Sequence, residues 1–574
     1  MGVFNARYLY ISTSPRSPYR IQHYLKLLEE FEGRIWSPST TQIEYYNRMV
    51  EKQEGDFEIG NSKNPAFSAR DKVGRAPKAF GFVKLDPSIE ITNAGKAFLN
   101  KNLETETLVR QLLKYQFPSP YYPEGNINKG YFNIKPFLEL LRLIYTVGEL
   151  TKNEFRAFGI TMTDYHDFED VIKKIHSYRK QETDSKKPKR KFYAEYIENY
   201  VHELYKDEFL KGNVGVRESK EKSSKNFVAT KVRNIKDYAD AYLRYLIGTE
   251  LVLVNKQRKI VISSDKIEDV EFILKTVPRE AIDYSLESYE DYLFNPVLPE
   301  LVTDNYDVVK NKINAVNEEL AKYTQLLLGE ESIPMIDTSD DSLLGLKVQL
   351  QEKENLLKKY SVEEYSHKLK NLNQSEIDDI ISTFEGIKAQ EYFDNPLFLE
   401  WNCWRAITMI NNGNIQGSFK TNTLGEPTGT AGGNMADIVG DYGDFNMICE
   451  VTMSGGKKQY EMENEPVMRH LGELRQKTRK ETFGLFVAPK INDSVIAEFY
   501  YKHKIKTRIY GGTVEIIPFT IDEFAKFFMR AVSRPVKMNE KDIQQIHQES
   551  IRIAENAEDE IEWREKIVDY VLNI

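Results

Sequence analysis

The stretch MADIVGDYGDFNMICEVTMSGGKKQYEMENEPVMRH, residues 435–470, decides how the C-terminal part of this chain folds. Met435-Ala-Asp437-Ile-Val439 reads as a short strand with one carboxylate, Asp441 to Asp444 supplies turn residues around Gly443, and Phe445-Asn-Met-Ile-Cys449 continues as an apolar strand that Glu450 ends. An unpaired carboxylate inside a largely buried hairpin costs on the order of several kcal/mol, so Asp437 and Glu450 are expected to share a cation. Two carboxylates on adjacent strands can converge on one hard ion such as Mg²⁺, leaving room for water and a phosphate oxygen, and the Val451 carbonyl offers a third ligand. That is a platform for cutting a phosphodiester, although acids at this spacing also occur in hairpins with no such role.

Working outward, Ser454-Gly-Gly-Lys-Lys458 reads as a glycine-containing turn, followed by a helical pattern carrying Glu463, Glu465, Arg469 and His470. Upstream, Asn395-Pro396 begins a helix with Glu400 among Trp401, Trp404 and Ile407, placing a further acid within reach of the same ion. Downstream, Phe483 to Ala488 and Val514 to Phe519 read as strands, and Ile491 to His503 and Ile521 to Phe528 as helices. The alternation is the αβββαβ succession of the PD-(D/E)XK nuclease core.

The first 300 residues show two winged-helix-like patterns. In one, Gly81 to Leu85 and Ile89 to Thr92 alternate as a hairpin around Asp86-Pro87-Ser88, and Ala94 to Leu99 turns helical. In the other, a helical run Tyr238 to Tyr245 leads into strands Leu251 to Val254 and Lys259 to Ser263 around a turn at Asn255 to Arg258. Between them, Thr151-Lys-Asn-Glu154 is a capping box starting a short helix after the apolar helix Phe137 to Thr146, a helix-turn-helix order suited to a DNA groove. Such units also mediate protein contacts. From Tyr306 to Tyr360 the seams Val309, Ile313, Val316, Leu320, Tyr323, Leu327 and Leu343, Leu346, Leu350, Leu357, Tyr360 predict an antiparallel helical hairpin acting as a spacer.

Net charge is −9, which argues against a polyanionic partner until its distribution is read. Lys173 to Lys191 holds nine Lys or Arg against Glu182 and Asp184, a local +7, and Lys211 to Lys236 holds eight against Glu218 and Glu221, a local +6. Compensating acid concentrates in a helical pattern from Glu555 to Glu562. Cys403 and Cys449 lack zinc-ligand spacing, which argues against a structural zinc or a disulfide framework and fits a reducing compartment. No signal-like leader or bilayer-length apolar run is present, so the expected location is cytoplasmic, with no membrane partner.

At this point the chain resembles the AlwI-type family of type IIS restriction endonucleases, which includes closely similar site-specific nicking enzymes. The resemblance runs over nearly the whole sequence: Ser14-Pro-Arg-Ser-Pro18, Ala66-Phe-Ser-Ala-Arg-Asp71, Ile91-Thr-Asn-Ala-Gly-Lys96, Gly212-Asn-Val-Gly215 and Thr230-Lys-Val-Arg-Asn234. It is strongest at Met435-Ala-Asp437, Glu450-Val-Thr452 and Met462 to His470. It implies a bacterial, mainly α, multidomain protein of mixed class with winged-helix-like DNA-binding subdomains at 1–135 and 136–300, a helical linker at 301–385, and an α/β PD-(D/E)XK-like cleavage domain at 386–574. It makes Asp437, Glu450 and Glu463 the catalytic acids, with Glu400 and His470 in support. Thr452 stands where the superfamily pattern (Asp/Glu)-x-Lys has lysine, a departure the family shares, leaving Glu463, Lys457, Lys458 and His470 as groups that could assist the attacking hydroxide.

The implied reaction is attack of a Mg²⁺-activated water on phosphorus, a few base pairs outside a short asymmetric duplex site of the GAGTC or GGATC kind. The groups expected to read bases are Arg16, Arg70, Asp71, Lys78, Arg217 and Arg233, with Ser17, Lys72, Lys220 and Lys231 beside them on double-stranded DNA. One metal hairpin cuts one strand, so double-strand cleavage needs a second catalytic subunit or a transient homodimer, and without either the enzyme nicks. Two other readings stay open at this level: a DNA-binding regulator with an inactive nuclease-like domain, and a repair or junction-resolving nuclease.

Overall fold

The computed structural model describes residues 6–52, 62–122, 132–212, 214–215, 223–323, 342–430 and 435–573. The chain divides into two units, the first ending within the helix Tyr306–Tyr323, after Ala315, and also taking in the helix Leu343–Leu369 as far as Lys353.

In the first unit, β1 (Val83–Lys84) and β2 (Glu90–Ile91) pair antiparallel with Val83 opposite Ile91, as the alternation around Asp86-Pro87-Ser88 predicts. Thr92 then caps the helix Asn93–Leu99: its hydroxyl accepts from the Gly95 N–H at 3.0 Å and donates to the Gly81 carbonyl at 2.6 Å. Gly95 is required there, since a Cβ would stand 2.1 Å from the Phe82 carbonyl oxygen.

The helix Pro136–Val147 leads into β3 (Leu150–Thr151), and the Thr151/Glu154 capping box forms as expected. The helix it opens is short, as the sequence suggests: three residues, Lys152–Glu154, pass into a wide π-helical turn at Phe155–Gly159. The capping signal fixes a start and says nothing of length, and here five consecutive buried residues pull the turn into the core. The helix Ser224–Gly248, β4 (Val252–Val254) and β5 (Lys259–Ile262) follow, forming an antiparallel sheet in the order β3-β5-β4. The basic stretch at 173–191 spans the helices Phe168–Asp184 and Lys189–Leu204 and is partly neutralised locally, by Arg179 on Glu154 at 2.6 Å and Lys173 on Asp170 at 2.9 Å among others.

The spacer helices form, but they run parallel rather than antiparallel. Asp304, just ahead of the first helix, meets Lys347 near the start of the second at 2.5 Å, while Leu320 near the end of the first clusters with Leu357 and Tyr360 farther along the second. Both pairings advance in the same chain direction. A hydrophobic seam has the same period whichever way its partner points, so the sequence left direction to the connection. Residues 324–341, including Leu327, lie outside the described set, but 18 residues can span roughly 60 Å when extended, about twice the rise of an 18-residue helix, so a return to the starting end is within reach. The acidic run Glu555 to Glu562 likewise is not one helix: Glu540–Asn556 ends there and Glu560–Asn573 begins.

The second unit is built on a sheet introduced by the helix Asn395–Ile410, whose first turn the Asp394 carboxylate caps at the Leu397 N–H, 3.3 Å. Its strands are β6 (Asn414–Gly417), β9 (Ile438–Asp441), β10 (Phe445–Val451), β11 (Glu481–Ala488) and β12 (Ile516–Thr520), with a small separate hairpin β7 (Lys420–Thr421) and β8 (Pro427–Gly429) between β6 and β9. The five-stranded order is β12-β11-β10-β9-β6. β6, β9 and β10 pair antiparallel, whereas β10, β11 and β12 are parallel and so need crossovers, supplied by the helices Gly456–Thr478 and Asp493–Lys504. The first crossover helix starts at Gly456, within the segment read as a turn. Residues 445–450 of β10 are all buried, consistent with a central strand covered on both faces.

Candidate active site

β9 and β10 pair with Ile438 opposite Cys449, and one further step in that register sets Asp437 opposite Glu450. Cross-strand partners project from the same face of a sheet, so the two carboxyls come together. The Val451 N–H donates to Asp437 Oδ2 at 2.9 Å, bringing the Val451 backbone to the same place. Part of Asp437 reaches solvent, yet its carboxyl is enclosed enough that burial is the largest influence on it, followed by the charge of Glu450; together they hold its pKa well above the usual carboxylate range. Glu450, 6% exposed, is pushed up to about 8 by burial and then by the charge of Glu463.

The crossover helix delivers two more groups, because Glu463 and His470 are seven residues apart and share a face with Val467. Glu463 Oε1 accepts from the Thr452 hydroxyl at 2.8 Å. His470 Nδ1 lies 2.8 Å from Glu450 Oε1. Geometry alone would make that an ion pair, but burial, then the neighbouring Arg469, lowers the imidazole pKa to about 4, so the contact is a hydrogen bond between a neutral ring and the carboxyl. His470 Nε2 is buried without a hydrogen-bond partner. Glu400 is buried on the helix Asn395–Ile410, where its charge and that of Asp437 both raise the pKa of the Cys403 thiol after burial. All five acid/base residues singled out from the sequence therefore belong to one neighbourhood. Lys457 and Lys458 do not join it: both are exposed, and Lys457 pairs with Glu461 at 2.9 Å.

A residue that the sequence reading passed over is Gln459, fully buried at the start of the same helix. Its amide donates to the Ser454 and Lys490 carbonyls at 3.1 and 2.9 Å and accepts from the Asn492 N–H at 2.7 Å, tying the loop after β10 to the loop after β11. The available signal was its position four residues before Glu463, on the same helical face. Cys403 and Cys449 are buried free thiols.

Among the described residues no group of three or more His, Cys, Asp or Glu side chains is arranged to hold a metal. The fit to a divalent cation rests instead on a pair: two carboxyls that burial, more than any neighbouring charge, holds above the usual carboxylate range, beside the Val451 backbone. One or two carboxylates completed by water and substrate phosphate is the usual protein share of a Mg²⁺ site, so these residues fit.

The expected DNA-contacting residues fall in the first unit. Arg70, Asp71, Lys72 and Lys78 occupy one stretch, Pro65–Ala79: Arg70 donates to Gln42 at 2.9 Å, Asp71 pairs with Arg75 at 2.8 Å, and Lys72 sits over the Tyr24 ring. Lys78 lies 4.9 Å from the Tyr121 ring and lines a cleft of about 610 Å³ with Arg75, Lys84, Tyr121, Tyr122 and Glu290. Ser17 immediately precedes the helix Pro18–Leu28, and Arg16 is 3.6 Å from Asp237 on the helix Ser224–Gly248, which also carries an exposed Arg233. Lys231 on that helix is turned among the rings of Tyr8, Tyr205 and Phe227, a placement better suited to packing than to reading bases. Arg217 and Lys220 lie outside the described residues.

The family model for AlwI restriction endonuclease matches residues 78–527, well over half of the chain and including every acid of the cluster above. The chain belongs to the AlwI restriction endonuclease family. Membership makes it a DNA-binding nuclease, a restriction enzyme. Among curated proteins none matches it. Among solved structures it is similar to the small subunit (R.BspD6I2) of the heterodimeric restriction endonuclease R.BspD6I, with 23% identity over 34% of this chain and 97% of that one and a TM-score of 0.29. It is also similar to the BpuJ1 endonuclease binding domain, determined in complex with pyrene- and phenanthrene-modified DNA, with 12% identity over 47% of this chain and 90% of that one and a TM-score of 0.31. Among the described residues no helix is long and apolar enough to cross a membrane.

Proposed function

We propose that this family member is a type IIS restriction endonuclease, or a nicking relative of one, that hydrolyses a DNA phosphodiester a few base pairs outside a short asymmetric site. The observation carrying this is the enclosed Asp437/Glu450 pair at the end of a hairpin, flanked by Glu463 and His470. The sheet and its two crossovers support a PD-(D/E)XK core. The order helix, β3, capped turn, helix, β4, β5, with β3 beside β5, supports a winged helix. We assign residues 1–135 and 136–300 to recognition, 301–385 to the linker and 386–574 to cleavage.

Asp437 and Glu450, with the Val451 carbonyl, hold Mg²⁺ in this reading, and the bound ion supplies Lewis acidity toward a phosphoryl oxygen and an acidified water. The chain's own residues do the rest. The Val451 N–H fixes the orientation of Asp437, and the neutral His470 ring fixes that of Glu450 while keeping Nε2 free to accept or pass a proton. Glu463, held by Thr452, is the acid assigned to orient the nucleophile, and Glu400 adds negative charge near Cys403. Arg16, Arg70, Asp71, Lys78 and Arg233 are assigned to DNA contact, with Ser17 and Lys72 beside them.

The test is Asp437→Ala on supercoiled plasmid in Mg²⁺. Cleavage should vanish while binding to cognate duplex persists, and any cutting by the variant would overturn the assignment. With the wild type, open circles alone mean nicking and linear product means paired cutting by a second catalytic domain.

A further inference from the structure

The hydroxyl of Thr452 joins the end of β10 to the crossover helix at the acid cluster, beside the Glu450 to His470 contact. Three hydrogen bonds define it. Its own N–H donates to the Val487 carbonyl at 3.0 Å, continuing the β10 to β11 pairing by one residue beyond the strand. Its oxygen accepts from the Ser454 N–H at 3.0 Å, and it donates to Glu463 Oε1 at 2.8 Å. A hydroxyl has a single hydrogen. With the Ser454 N–H aimed at the oxygen, that hydrogen is directed to Glu463, so the side chain does more than close a turn, for which accepting would suffice.

The loop carrying this bond is fixed from below. Gln459 ties the Ser454 carbonyl to Lys490 and Asn492, so neither Ser454 nor Thr452 moves without disturbing the loop after β11. Thr452 itself is 8% exposed. Glu463, on a long helix, would otherwise be free to choose among rotamers, and a carboxylate next to two others is repelled outward; its charge is felt by both Asp437 and Glu450. A directed donor on the opposite side counters that repulsion.

We propose that Thr452 is a positioning residue that orients the Glu463 carboxylate beside Asp437 and Glu450, doing by a directed hydrogen bond what a charged side chain at that position would do by charge. The proposal rests on the reading of Asp437 and Glu450 as the cleavage site. A carboxylate keeps about four acceptor directions, so one bond to Thr452 fixes its plane and leaves the rest for the reacting groups.

The experiment is single-turnover cleavage of a cognate duplex by the full chain in Mg²⁺, with duplex binding measured separately in Ca²⁺ and melting recorded for each variant. Thr452→Val should lower the cleavage rate about 10- to 100-fold, the range for losing an outer partner of a site carboxylate, with duplex affinity unchanged and the chain still folded at the assay temperature. Thr452→Ser should recover most of the rate. On a Glu463→Gln background, adding Thr452→Val should cost nothing more, because the two act through one group. Wild-type rates in Thr452→Val, or losses that multiply in the double variant, would overturn the proposal. Should valine unfold the chain, Thr452→Ser against Thr452→Ala poses the same question, a pair differing by the hydroxyl alone. Cutting by Asp437→Ala in the same assay would instead overturn the site reading beneath it.

Discussion

Replacing Glu450 by glutamine should stabilise this protein while removing its cleavage activity. Burial and the Glu463 charge raise the Glu450 pKa from 4.5 to about 8, so at pH 7 the folded protein holds a proton that the unfolded chain has released. A carboxyl raised in this way binds more protons folded than unfolded across pH 4.5 to 8, and stability therefore falls as pH rises through that window. At pH 7 the cost is about 1.4 kcal/mol times 2.5 units, roughly 3 kcal/mol. Glutamine carries no such term, and its carbonyl can still accept from His470 while its amide donates to Asp437. At about 2–4 °C per kcal/mol, Glu450→Gln should melt roughly 6–12 °C above the wild type at pH 7 in EDTA, with the gap narrowing toward pH 5. Millimolar Mg²⁺ should raise the wild-type melting temperature and leave the variant unmoved. Circular dichroism melts across pH 5–8 read this directly. A variant that melts at or below the wild type at pH 8 would refute the account of Glu450 as a carboxyl raised by burial and the Glu463 charge.

Two other perturbations probe regions away from the acids. His547, stacked on Phe483 at 4.6 Å and facing Glu481, Glu515, His503 and Arg475, is held neutral by burial with its pKa lowered from 6.5 to about 4. Its unfolded form takes up a proton first as pH falls, so it contributes a loss of up to about 1.4 kcal/mol per pH unit between 6.5 and 4. His547→Gln should flatten the acid limb of the melting profile, and an unchanged slope would show that another group controls it. For Lys78→Ala, preference at one base position should relax while the log–log salt slope stays near that of the wild type, read by fluorescence anisotropy on singly varied duplexes at several salt concentrations. A uniform loss of affinity with a slope smaller by about 1 would make Lys78 a phosphate contact instead of a base reader.

Much of the second unit was legible in the sequence because its signals are local. The alternation from Met435 to Glu450 with a Gly443 turn sets the hairpin, strand period sets the shared face of Asp437 and Glu450, and helical period sets Glu463 with His470. The Thr151/Glu154 capping box and the β1/β2 and β4/β5 hairpins were equally readable, since each is decided within a few residues. The buried orphan nitrogen of His470 and the Thr452 to Glu463 bond had no such signature, and the helical spacing of Gln459 to Glu463 marked its face but not the loops it braces: each depends on which loop packs against which helix.

The amino-acid sequence by itself determined the elements and the chemistry: which strands carry acid, where helices begin, and that two enclosed carboxylates would meet. Tertiary structure decided direction and partners. The spacer helices run parallel because their seam is blind to orientation and the connection is long enough for either, and Lys231 turns among aromatic rings because packing, not charge, fixed its surroundings. Periodicity is a property of one segment; orientation and protonation belong to the contact between two, and only the folded chain brings those together.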